Sequence, residues 1–166
     1  MRSSASWWGH KARRFAGHLR ARVSAAERSA LEGWLSPAQL RLFDAMHVAD
    51  RRHGLDVAAS LREQGIDDQH ALLAGLLHDA GKGRTGVWPR VAFSLGQGYG
   101  PWIWRVAAAV PGFRAPLDRL RDHAAQSAAL AAQAGCSPRT VELIRHQDDP
   151  VDPEFGEPLR LADEAN

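Results

Sequence analysis

Apolar residues recur along this chain at spacings of three and four, the period of an α-helix, and no stretch shows the strict alternation of a half-buried strand. Ser24 followed by Glu27 forms a capping-box signature and predicts a helix that carries Leu31, Trp34 and Leu35. Ser36-Pro37-Ala38-Gln39 opens a second helix, with Ser at the cap, Pro preset in the first turn and Gln three residues on. It places Leu40, Phe43 and Met46 or His47 on one stripe. A third helix is expected from about Arg52 to Gln64, stopped by Gly65. His53, Val57 and Leu61 share its face, so His53 points towards the core. Asp67 or Asp68 then caps a helix that is apolar nearly all round (Ala71, Leu72, Leu73, Leu76, Leu77) and therefore central.

That helix ends in His78-Asp79-Ala80-Gly81-Lys82, and Gly81 is expected to close it in a left-handed turn. Residues 83–116 are punctuated by Gly96, Gly98, Gly100, Pro101, Pro111 and Pro116, and carry Trp88, Phe93, Trp102, Trp104 and Phe113. They read as two short amphipathic helices completing the core, ahead of a lid or a binding surface. An Ala-rich helix opens at Asp122-His123 and ends near Gly135, and Ser137-Pro138 starts another that closes at Arg145-His146. A polar, Pro-rich loop from Asp148 to Pro158 leads to a last short helix, Leu159 to Ala165. The expectation is an all-α, compact bundle of about six to eight helices. Residues 1–35 form a basic helical extension and residues 36–166 the main domain.

Composition adds three constraints. With 166 residues, 45% of them hydrophobic and 24% charged, the chain has the make-up of one soluble domain. A single cysteine, Cys136, excludes an internal disulfide, and the strongest apolar run, Ala71 to Leu77, is far short of the ~20 residues of a membrane span. The opening residues lack the order of a secretion signal, so a cytoplasmic location is expected. The net charge of +2 conceals an asymmetry: residues 1–30 hold seven Arg or Lys against Glu27 alone, a net +6. Such an arm, with Trp7 and Trp8 in it, suits weak contact with RNA or an anionic membrane. A solvated helix whose Trp residues pack on the domain is the plainer reading.

The His78-Asp79 pair is the sharpest chemical signal. An imidazole and a carboxylate at the end of a buried helix are costly unless something satisfies them. A divalent metal does so, since both groups are natural ligands for Fe, Mn, Zn or Mg. Lys82 then lies close enough to present a cation to a phosphate oxygen, with Arg84 nearby as a second candidate for substrate binding.

His53, Leu76-Leu77-His78-Asp79-Ala80-Gly81-Lys82 and Leu161-Ala162-Asp163, taken in order, resemble the H…HD…D signature of the HD superfamily of metal-dependent phosphohydrolases. The resemblance spans roughly residues 40–166. It implies an HD-type helical bundle with His53, His78, Asp79 and Asp163 as metal ligands. His123 and His146 fall between the HD pair and the last Asp, an order similar to that of the two-metal members. The pattern looks closest to the small bacterial HD hydrolases of symmetrical dinucleoside tetraphosphates. There Asp79 bridges two ions, and His123 and His146 hold the second.

The expected activity is hydrolysis of a nucleotide or related phosphoester or phosphoanhydride by a metal-activated water. Asp79 orients that water and Lys82 stabilises phosphoryl charge. One or two divalent ions are the expected cofactor, and a phosphorylated small molecule is the expected partner. The rival readings are a mononuclear HD nucleotidase using His53, His78, Asp79 and Asp163 alone, and a non-catalytic HD module that binds nucleotide or RNA.

Overall fold

The computed structural model describes residues 21–83 and 85–166. Side-chain caps set half of the described helix starts. The first helix, α1 (Ala25–Leu31), begins at a reciprocal capping box between Ser24 and Glu27. The second, α2 (Pro37–Ala45), begins at the same device between Ser36 and Gln39, with Pro37 in its first turn. The third, α3 (Val48–Glu63), starts some four residues earlier than expected. The His47 ring is the reason: its Nδ1 accepts from the Ala49 amide at 3.3 Å and caps the helix, a role its residue type rarely fills. Gly65, at φ 81°, provides the left-handed stop.

The central α4 (Gln69–Leu77) is capped by Asp68, whose Oδ1 accepts from the amides of His70 and Ala71 at 2.8 and 3.2 Å. All seven residues from Ala71 to Leu77 are buried. A single 3₁₀ turn, Ala80–Lys82, follows. Then come α5 (Val87–Tyr99), α6 (Trp102–Ala108), α7 (Arg114–Arg121), α8 (His123–Gln133), α9 (Pro138–Arg145) and α10 (Gly156–Ala165). The described residues thus hold ten α-helices and no strand, which confirms the all-α class and corrects the count of six to eight. The excess arises partly between residues 87 and 121. Breaks at Gly100-Pro101 and Pro111-Gly112 cut that stretch into three helices where two were expected.

The core surrounds α4, with α3 on one side, α9 on another, and α2, α8 and α10 completing the shell. Phe43, Val57, Leu61, Leu76, Leu77, Ile144 and Leu159 lose essentially all solvent contact. Leu31 and Leu35 are buried in this same core, and Arg28 pairs with Asp44 at 2.7 Å, so residues 25–35 pack on the body.

Two glycines permit close approaches that decide where the chemistry sits. A Cβ on Gly54 would lie 2.4 Å from the Leu76 carbonyl oxygen, so only glycine lets α3 press against the end of α4. A Cβ on Gly81 would lie 2.4 Å from the His123 carbonyl oxygen and 2.6 Å from the Ser127 amide. The expected left-handed turn at Gly81 is therefore corrected. Positive φ falls at Gly83 instead, at 56°, and Gly81 is needed for contact with α8, where its amide donates to Ser127 Oγ at 2.8 Å.

A buried clamp fixes the segment that follows. Arg90 of α5 donates to both carboxylate oxygens of Asp50 on α3, at 2.7 Å each, and to the Thr85 carbonyl at 3.1 Å.

Candidate metal centre

Three helix ends and one turn bring the polar residues together. His53 sits in the first half of α3, beside the Gly54 contact. His78 caps the C-terminus of α4, Asp79 follows it, and Asp163 lies in the last turns of α10. His53 and His78 meet edge to face with ring centroids 5.1 Å apart. His53 Nε2 and Asp163 Oδ1 are 2.7 Å apart, a distance that requires a proton between them. His53, His78 and Asp163 each offer a ligand atom, and these atoms all lie within 4.8 Å of one another, so the three could hold a metal ion.

His78 and Asp79 are each only 2% exposed. His78 Nδ1 is 2.8 Å from the Gly75 carbonyl oxygen, which fixes a proton on that nitrogen and turns Nε2 inward. There Nε2 lies 3.5 Å from both Asp79 Oδ1 and Asp163 Oδ1, too far for a good hydrogen bond. His78 Nε2 and Asp79 Oδ1 are both buried without a hydrogen-bond partner. Burying two such atoms unpaired costs several kcal/mol, on the order of 1–3 for each. Both are metal-ligand atoms by type; His78 belongs to the triad that could hold an ion, whereas Asp79, His123 and His146 fall outside that group among the described residues. His53, His78 and Asp163 are thus the residues that could hold the divalent metal expected from the sequence.

The surrounding groups shape the charge. The second Asp79 oxygen, Oδ2, accepts from Lys82 Nζ at 2.6 Å. Burial raises the Asp79 pKa, yet the neighbouring Lys82 cation and the imidazoles outweigh it and hold this carboxyl far below its ordinary range. Asp163 is likewise held well below that range, since contact with His53 and His78 overcomes the effect of burial. For His78, burial pushes downward, but the Asp79 and Asp163 carboxylates prevail and raise its pKa to about 9.

His123, first residue of α8, reaches the same cluster. Its Nε2 lies 3.7 Å from Asp79 Oδ1, and its Nδ1 is held 2.8 Å from the Leu120 carbonyl oxygen. Burial first, and then the Lys82 cation, lower its pKa, which keeps the ring neutral. Gln147 Nε2 lies 2.8 Å from His123 Nε2 and donates to its lone pair. His146 is placed differently: its Nε2 is 3.4 Å from Glu142 Oε2 on its own helix. Arg84 lies outside the described residues, as do His10 and His18. His47 and His70 have structural roles, His47 as the α3 cap and His70 bonded to Ser137 Oγ at 2.8 Å.

The sequence reading missed Gln147, Ser127 and the Asp50–Arg90 clamp. None carries a local signal, because each depends on a contact between segments distant along the chain. Only Gln147, next to a histidine already singled out, offered a hint.

No family model, curated protein or solved structure matches this chain.

Proposed function

We propose that this chain is a metal-dependent phosphohydrolase of the HD type, acting on a nucleotide or related phosphoester or phosphoanhydride. The observation that carries the reading is the pair of buried, unpartnered ligand atoms, His78 Nε2 and Asp79 Oδ1, facing the His53–Asp163 contact. His53, His78, Asp79 and Asp163 would hold the ion. When bound, a divalent ion supplies Lewis acidity toward a phosphoryl oxygen and a water activated near neutral pH.

The chain's own residues do the rest. The Gly75 carbonyl orients the His78 ring, and Asp163 orients that of His53. Asp79 divides its oxygens, turning Oδ1 into the cluster while Oδ2 steadies Lys82. Lys82 is part-exposed, so its ammonium can meet a phosphoryl oxygen arriving from solvent while remaining beside Asp79. A lysine cannot ligate while protonated, so its part is charge stabilisation.

A second ion is supported by one observation: His123 turns Nε2 towards Asp79 Oδ1 while its Nδ1 is anchored on the backbone. For His123 to act as a ligand, the Gln147 amide must give up the lone pair it now occupies. His146 joins the set only by leaving Glu142.

The test is turnover. Chain loaded with Mn or Fe should release phosphate or a nucleotide from a panel of nucleoside phosphates and dinucleoside polyphosphates, and Asp79→Asn should abolish this. A metal-loaded, folded chain inactive across the whole panel would favour the non-catalytic module.

A further inference from the structure

Residues 80–117 contain no Asp or Glu, although the chain has 19 acidic residues, and they carry five Lys or Arg. The same stretch holds most of the large apolar side chains that the fold leaves in solvent. Val87, Trp88, Tyr99, Trp102, Val106 and Val110 are all exposed, Trp88 by 73% and Val106 by 62%. On α6, Trp102 and Val106 lie four residues apart and so form one outward stripe, and Val110 is exposed just past the end of the helix. No residue of α6 is buried. What α6 does contribute inward is Trp104, which stacks on Phe93 at 5.4 Å and donates from Nε1 to the Phe93 carbonyl oxygen at 3.0 Å. Gly96 leaves room for that indole, since a Cβ there would lie 1.9 Å from Trp104 Nε1. The hairpin is built to pack on itself while presenting its apolar stripe to solvent.

We infer that the exposed face of α5 and α6 docks on an anionic phospholipid surface. Charge selects this occupant. Arg105, exposed beside the stripe, and Arg114, exposed just beyond it, make no ion pair among the described residues. A second copy of this face would bring like charges together, and the opening 30 residues, at +6, would do the same. An anionic partner is the one that complements the patch. Among anionic partners the aliphatic members favour a lipid: Val87, Val106 and Val110 gain by insertion at a headgroup boundary, whereas a nucleic acid would use only the rings of Trp88, Tyr99 and Trp102. Trp and Tyr are the side chains that settle at that boundary, with apolar rings inside and polar edges in the headgroups. Among the described residues no helix is long and apolar enough to cross a bilayer, so contact is interfacial. The Arg90–Asp50 clamp ties the start of α5 to α3 three residues before His53, so docking would bear directly on the segment leading from Lys82.

Flotation of the full chain with vesicles tests this independently of any turnover. The chain should float with phosphatidylcholine–phosphatidylglycerol vesicles, lose binding as salt rises, and ignore pure phosphatidylcholine. The double variant W102D/V106D alters only exposed positions and should weaken binding by about tenfold or more with unchanged circular dichroism. If it unfolds, Arg105→Glu, also exposed, should still weaken binding by about tenfold. The variant Arg13→Gln/Arg14→Gln/Arg20→Gln should retain binding that W102D then removes. The inference is overturned by an absence of binding to the mixed vesicles, by binding that none of the α6 variants changes, or by tighter binding to single-stranded RNA with the same variant sensitivity.

Discussion

Lys82 sits where two roles meet, holding a buried carboxylate and facing solvent. Lys82→Ala should therefore keep the fold and the metal but lower kcat by roughly 10²–10³-fold, the loss expected for one preorganised donor. Steady-state kinetics on metal-replete parent and variant check it, and equal kcat and KM would reduce Lys82 to a neighbour of Asp79. Protons give a second prediction at this scale. His78, its pKa raised to about 9, keeps a second ring proton at neutral pH in the metal-free chain. An ion must displace that proton, so affinity should climb as pH rises from 6 towards 9, and binding should release a proton to the buffer. The sign is settled by the raised His78 value. The protonated form is favoured below it, and the metal competes with a proton that becomes easier to remove as pH increases. Calorimetry in buffers of different ionisation enthalpy would read the release, and pH-independent affinity would contradict the account. At this scale the grouping of His53, His78 and Asp163 was legible in part, because His78 ends an apolar helix and His53 lies on a helix face that must turn inward. Gln147 was hidden, since its contact depends on how α9 ends against the start of α8.

At the level of elements, the 3₁₀ turn at residues 80–82 is held less by its own three residues than by its fit against α8. Gly81→Ala forces a methyl against two backbone atoms that cannot swing aside. It should cost about 1–3 kcal/mol of stability, typical of overpacking a tight site. It should also displace Asp79 and Lys82 from His123, lowering metal affinity beyond what the stability loss explains. Urea unfolding of parent and variant, with and without metal, separates the two effects. A variant as stable and as tightly metal-bound as the parent would show that the turn can move. Helix starts were legible where a Ser or Asp side chain caps its own helix, as Ser24, Ser36, Asp68 and Ser137 do. Legibility failed where an unusual capping residue or a tertiary contact made the choice. His47 extended α3, Gly81 served packing while Gly83 took the left-handed conformation, and the Asp50–Arg90 clamp joined elements 40 residues apart.

Across the whole molecule, apolar burial is concentrated around α4, and the polar cluster lies where α4 ends and α3, α8 and α10 converge. This explains why an all-α bundle with a central apolar helix could be read from periodicity while the number of helices could not. Periodicity reports faces, whereas the cuts at Gly100-Pro101 and Pro111-Gly112 decide how many helices share them. It also separates two surfaces of different character: the cluster of His53, His78 and Asp163 that could hold a cation, and the α5–α6 face, which carries no acidic residue. The central claim concerns the first. Its most direct test is the metal content per chain, by elemental analysis, of protein purified without chelator and then equilibrated with Mn, Fe or Zn. The parent should retain at least one divalent ion, and folded His53→Ala and Asp163→Ala variants should lose it. A folded parent that keeps none of the three metals, or variants that keep as much as the parent, would contradict the account.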